Sequence, residues 1–239
     1  MRILVTNDDG IDSPWLVPVA ETAKRFGQVT VVAPAGQCSA MSQRITCREA
    51  MDAERQTDFP IEGVEAWSLT GTPTDCVKIA LHYLMREKPD FVFTGMNIGC
   101  NAGYDIAFSG TLGAALEARR QGIPAIAFSC ECTGTSETAE TWMSSIAEEL
   151  MEKDAGPGMV WNVNFPGVAA KACKGILRDR TVAPLQFYAD HYCVLEQQDG
   201  FLKVIEEGHP VPPECIPEGS DIAAVMNGYI SVGKVNGNL

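Results

Sequence analysis

Six short β-rich runs alternate with helix-patterned stretches through the first two thirds of the chain, and this rhythm constrains the fold more than any other feature. The runs are RILVT (2–6), QVTVVA (28–33), VEAWSL (64–69), DFVFTG (90–95), IPAIAFS (123–129) and MVWNVNFP (159–166). Between them, 15–26, 109–122 and 138–152 carry helical apolar spacing, with Pro18 set to kink or end the first helix if it lies deep inside. A further helix opens at GTPTD (71–75), where Thr72 can cap, Pro73 suits the first turn and Asp75 complements the positive end of the dipole. It is expected to run to about Met85. Ser109 is set to cap the 109–122 helix, and Gly122 to stop it. Strands alternating with helices on this scale predict an α/β fold: a doubly wound, mostly parallel sheet covered on both faces.

The rhythm breaks near 167. Short β-like pieces at 176–182, 191–195 and 201–205, with prolines at 210, 212 and 213, read as hairpins and loops. A short helix (220–227) and a last strand (229–235) follow. The expected division is a core over 1–166 and a C-terminal β-hairpin/helix extension over 167–239 that returns to the core near 218–232.

The first strand stops at two adjacent acids, Asp8 and Asp9. Like charges in contact repel, and burying either one unpaired is costly, so a positive partner is expected there. In an open parallel sheet, ligands sit beyond the carboxyl ends of the strands. The polar residues that follow each strand therefore belong together: Asn7, Asp8, Asp9 and Gly10; then PAGQCSAMSQ with Ser39 and Ser42; then GMNIGCNAGYD with Asn97, Asn101 and Asp105. Carboxylates, hydroxyl and amide oxygens form an all-oxygen set that suits a hard divalent cation, Mg²⁺ or Mn²⁺. Asp-Asp-Gly alone is also a turn signal. Three such loops, each directly after a strand, weigh against coincidence.

The helix opening at Ser109-Gly110-Thr111 is a second element, since glycine lets a ligand approach the backbone and a helix N-terminus favours an anion. A phosphate there, beside a metal on the carboxylates, is arranged for metal-assisted hydrolysis. The spacing matches neither G-x-G-x-x-G nor G-x-x-x-x-G-K-[ST]. There is no G-x-S-x-G elbow, so nucleophilic serine chemistry is disfavoured. His82, His191 and His209 read as structural or exposed, with His191 in YADHYC the best placed to reach a site.

A net charge of −13, from 31 acidic and 18 basic residues, argues against a polymeric nucleic-acid partner. No apolar stretch approaches the ~20 residues that cross a bilayer, and no secretory signal is visible, so neither a membrane nor export is expected. Nine cysteines without a C-x-x-C pair are expected to be thiols in a reducing, cytoplasmic setting.

Seven stretches closely resemble the SurE family of survival-protein phosphatases. They are ILVTNDDGIDSP (3–14), VVAPAGQCSAMSQRIT (31–46), GTPTDCV (71–77), PDFVFTGMNIGCNAGYDIAFSGTLGAALEA (89–118), GIPAIAFS (122–129), NVNFP (162–166) and EGSDIAAVMNGYISV (218–232). The resemblance implies a Rossmann-like core and a metal-dependent phosphomonoesterase, a 5′- and 3′-nucleotidase acting on nucleoside monophosphates, with some members trimming short polyphosphate. It places one divalent cation on Asp8, Asp9, Ser39 and Asn97, with Asp8 and Asp9 catalytic. It puts the phosphate against Asn7, Gly95, Asn97, Ser109, Gly110 and Thr111. It further implies a homodimer or homotetramer joined through the C-terminal extension. Three departures stand out: Ala40 after Ser39, LRDRTVAP at 177–184, and the ending SVGKVNGNL.

Two other classes compete. A receiver-type signalling domain also pairs acids after its first strand, but needs an acceptor Asp and a Lys where this chain has Thr94-Gly95 and Ser129-Cys130. A nucleotide-binding module without turnover is the third reading.

Overall fold

The computed structural model describes residues 1–131 and 135–237. Cys132 lies outside the described residues. β1 (Arg2–Thr6), α1 (Leu16–Lys24) and β2 (Gln28–Pro34) follow one another as the apolar pattern requires. Pro18 is the third residue of α1, within the first turn, where its missing N–H leaves no helix bond unmade. β3 (Ala53–Gln56) was not expected: AERQ carries no apolar alternation, and it forms as a half-exposed edge strand antiparallel to β4 (Glu65–Leu69).

α2 (Pro73–Ile79) opens with a full capping box, Thr72 and Asp75 each serving the other's backbone. It does not stay α-helical to Met85; residues 80–84 widen into a π turn closed by the Met85 N–H on the Ala80 carbonyl. β5 (Phe91–Ile98) runs three residues past the expected end at 95. Gly95 and Asn97 look like turn residues, yet they lie within this strand at a register shift between Thr94 and Asn97. Gly95 has φ +116°, and an added Cβ would stand 2.2 Å from the Phe128 carbonyl oxygen, so glycine is needed for strand passage here. α3 (Gly110–Arg120), β6 (Ala125–Cys130), α4 (Glu137–Met151) and β7 (Met159–Phe165) complete the alternating part.

Beyond it come β8 (Ile176–Arg180), β9 (Tyr188–Ala189), β10 (Tyr192–Gln198), β11 (Phe201–Glu206), β12 (His209–Pro210), α5 (Asp221–Met226) and β13 (Ile230–Asn236). β10 and β11 form an antiparallel hairpin turned by Asp199-Gly200, with Gly200 at φ +73°. β8 and β13 join the main sheet, whose order is β3-β4-β2-β1-β5-β6-β7-β13-β8. All its pairings are parallel except β3 with β4 and β13 with β7.

Side chains alternate across this sheet into two cores. Ile3, Val5, Phe93, Phe128 and Phe165 pack with Leu16 of α1 and Met143 of α4 on one face. Leu4, Val32 and Val92 pack with Val77 of α2 and Leu112 of α3 on the other. Both faces are thereby covered, as parallel strands require. No helix among the described residues is long and apolar enough to cross a membrane.

Candidate active site

The strand order reverses at β1 and β5, one running outward through β2 and β4, the other through β6 and β7. Crevices at such a switch point, at the carboxyl ends of the strands, are where α/β sheets bind ligands. Asp8 and Asp9 leave the end of β1, and the end of the neighbouring β5, which carries Asn97, reaches Asp9 through the Ile98 backbone.

Asn7 shapes the turn that presents the acids: its amide donates to the Gly10 carbonyl (2.9 Å) and its carbonyl oxygen accepts the Gly10 N–H (3.2 Å). Asp8 is 3% exposed, and its Oδ1 accepts the Thr111 hydroxyl at 2.6 Å. Its own carbonyl accepts the Cys38 N–H at 2.7 Å, which ties the loop after β2 to the loop after β1. Burial pushes the Asp8 carboxyl up to about 6; the Thr111 bond opposes this and the neighbouring Asp9 charge reinforces it. At Gly110 a Cβ would stand 2.9 Å from Asp8 Cβ and 3.2 Å from Asp8 Oδ2, so α3 can start this close to the acid only with glycine there.

Asp9 is half-buried, and burial raises its pKa against the pull of the Ile98 backbone and the Gln37 side chain. Its Oδ2 is buried with no hydrogen-bond partner. A buried acceptor left unmade costs about 1–3 kcal/mol, more when charged. That orphaned oxygen, next to a second buried carboxyl, fits a hard cation. Among the described residues no three His, Cys, Asp or Glu side chains form a metal cluster, so a cation here depends on hydroxyl and amide oxygens as well. Asn97 is half-buried and its amide nitrogen donates to the Gly99 carbonyl at 2.8 Å, which leaves its carbonyl oxygen for another partner. Ser39 is exposed directly after Cys38.

Ser109 caps α3 by accepting the Leu112 N–H at 3.1 Å. Thr111, expected against phosphate, spends its hydroxyl on Asp8, and its backbone lowers the same carboxyl's pKa. Gly95 contributes strand geometry rather than a side chain. The histidines stand elsewhere: His82 is in the π turn, and His191 and His209 lie 5.3 Å apart, ring to ring, at the base of the hairpin.

Three sets of residues that hold the site were missed or undervalued. The Asn101 carbonyl accepts the amides of Asn162 (2.8 Å) and Asn164 (3.1 Å), its N–H donates to Asn164 Oδ1 (2.8 Å), and its own amide reaches Ser129 (2.8 Å). Alternate asparagines in a strand that reads as buried were the available signal. Asp221 accepts the N–H groups of Gly103 and Ala183, both at 3.0 Å, and clamps the rim loop to the C-terminal segment. Asp105 Oδ2 accepts those of Phe187 (2.9 Å) and Tyr188 (3.1 Å). Burial raises the pKa of both acids against these bonds.

The family described as Survival protein SurE matches residues 3–184. The chain is 38% identical to 5′-nucleotidase SurE 1 of Thermus thermophilus, over 99% of this chain and 92% of that protein. It is 36% identical to the 5′/3′-nucleotidase SurE of Edwardsiella ictaluri, over 97% and 88%. The crystal structure of the SurE protein from Aquifex aeolicus superposes with a TM-score of 0.81 at 30% identity, covering 99% of this chain and 93% of that one.

Proposed function

The chain belongs to the SurE family, and from that premise we propose that its Asp8–Asp9 rim is the centre of a divalent-metal-dependent nucleoside-monophosphate phosphatase. The protein is a phosphoric monoester hydrolase of the 5′/3′-nucleotidase kind. The observation that carries the assignment to this rim is the pair of acids at the sheet's switch point, one buried on Thr111, the other with an orphaned Oδ2.

Asp8, Asp9, Ser39 and Asn97 are the residues that would hold a Mg²⁺ or Mn²⁺ ion. When bound, such an ion neutralises phosphate charge and lowers the pKa of a coordinated water. The chain's own residues do the rest. Thr111 fixes the Asp8 carboxyl through Oδ1 and leaves Oδ2, beside Gly110, to accept a proton from the attacking water. Gly110 allows the phosphate to reach the first turn of α3, where the helix terminus steadies its negative oxygens. Asn7 holds the turn that carries both acids, and Gly95 lets β5 pass close to Phe128 of β6 just before Asn97.

The hairpin supports the further reading that the protein works as a homodimer or homotetramer, since its large apolar side chains are exposed in a single chain. A phosphate-release panel over 5′- and 3′-nucleoside monophosphates, with Mg²⁺, Mn²⁺ or EDTA, tests the assignment. Release that needs the cation and disappears in Asp9→Asn is expected; equal release in EDTA would overturn the metal reading.

A further inference from the structure

Two strands along the rim from the paired acids, a cavity of about 540 Å³ opens at the carboxyl ends of β6 and β7. Neighbouring strands are spaced at about 5 Å, so the ends of β6 and β7 lie roughly 10 and 15 Å along the sheet from β1. Glu131 after β6, Gly167 after β7, and Met226 and Asn227 at the end of α5 line it. Tyr188 forms an aromatic wall, set edge-to-face on Phe187 at 4.7 Å between ring centroids.

Tyr188 also connects the cavity to the rim. A Cβ built on Gly99 would stand 3.9 Å from both Asn97 Nδ2 and the Tyr188 hydroxyl, so the ring's polar end flanks the glycine whose carbonyl Asn97 holds. Its backbone is pinned by Asp105, four residues before the Ser109 cap of α3. The ring is therefore positioned by the same short segment that leads into the phosphate end of the site. A mostly apolar concavity with a few convergent polar groups is what an organic ligand needs.

We infer that this cavity receives the nucleoside of the substrate and that Tyr188 is a specificity residue, reading the base by stacking on it. The inference rests on the phosphate of the same molecule lying at the Asp8–Asp9 rim. An aromatic face accepts any base, and the larger purine ring gains more from it, so purine nucleotides are favoured over pyrimidine nucleotides and both over a phosphorylated sugar without a base.

The test compares AMP with ribose 5-phosphate in wild type, Tyr188→Phe and Tyr188→Ala, reading kcat/KM from phosphate release and Kd from calorimetry with Mg²⁺ present. The wild-type preference for AMP is expected to fall about tenfold in Tyr188→Ala, the scale of one base–aromatic stack, and to persist in Tyr188→Phe. The loss should sit mainly in KM. An unaltered preference in Tyr188→Ala overturns the inference. Wild type that hydrolyses neither compound refutes the phosphatase assignment, and the calorimetric ratio then still decides the role of Tyr188. Should Tyr188→Ala fail to fold, Met226→Trp, which fills the cavity from the exposed end of α5, is expected to weaken AMP more than ribose 5-phosphate; equal effects on the two overturn the inference.

Discussion

At the rim of the central sheet, side chains are held by other side chains and by backbone of the same protein; on the β10–β11 hairpin they are held by almost nothing. Asp8 rests on Thr111, Asn101 on Asn162 and Asn164, and Asp221 on Gly103 and Ala183. On the hairpin, Val194, Leu195 and Leu202 are each 57% exposed and Phe201 is 50% exposed. A two-stranded ribbon has only its own ladder for support. The contrast separates what the chain specifies alone, a pre-arranged polar site, from what it leaves for another surface to complete.

The sharpest challenge to that contrast is a pair of aromatic truncations. Phe93→Ala empties a fully buried site packed against Phe128 and should cost about 3–5 kcal/mol in denaturant unfolding. If Phe201→Ala on the hairpin cost as much in a dilute, monomeric sample, the separation of the two regions would collapse. Next comes chemistry: Asp9→Asn should lower kcat/KM for AMP on the order of a thousandfold, worth about 4 kcal/mol of transition-state stabilisation. A steady-state assay with Mn²⁺ reads this directly.

The third effect is a pH dependence. The folded Asp8 carboxyl titrates near 6 against 3.8 when unfolded. In EDTA, its contribution to stability is full below about pH 3.8 and is lost as pH rises through 6, a change of about 3 kcal/mol. Asp9 is shifted in the same direction and adds to the trend. Urea unfolding at pH 4 and pH 7 should show that loss in wild type and a smaller one in Asp8→Asn. Added Mg²⁺ should restore stability at pH 7 and do little at pH 4. The smallest effect tests the hairpin itself: Leu202→Ser should change unfolding of the monomer by no more than about 0.5 kcal/mol, while sedimentation shows a shift toward smaller species.

Much of this was legible from local pattern. The alternating apolar runs marked the strands, and the acids after the first of them, Asp8 and Asp9, stand at the carboxyl end of the sheet because parallel strands point those ends the same way. What escaped was set by distant chain. β3 exists because β4 offers an edge, and nothing in AERQ announces it. The extension of β5 through Gly95 depends on the backbone of Phe128, a contact between residues far apart in sequence. Nor does the sequence around Thr111 announce that its hydroxyl serves Asp8, more than a hundred positions earlier. Asp221 stands in the first turn of α5, and its carboxylate holds two loops together that lie far from it in sequence.

The placement of β13 has a consequence for how the molecule is made. β8 borders the sheet through β13, which is translated some fifty residues later, and β13 must slide between β7 and β8. During synthesis β8 therefore waits without its pairing partner, and the Asp221 clamp on the Gly103 loop cannot close until the same late segment leaves the ribosome. A nascent chain stalled before that point would carry its acids in place and its loops untethered, so hydrolytic competence should arrive abruptly, once Asp221 and β13 are free to pair.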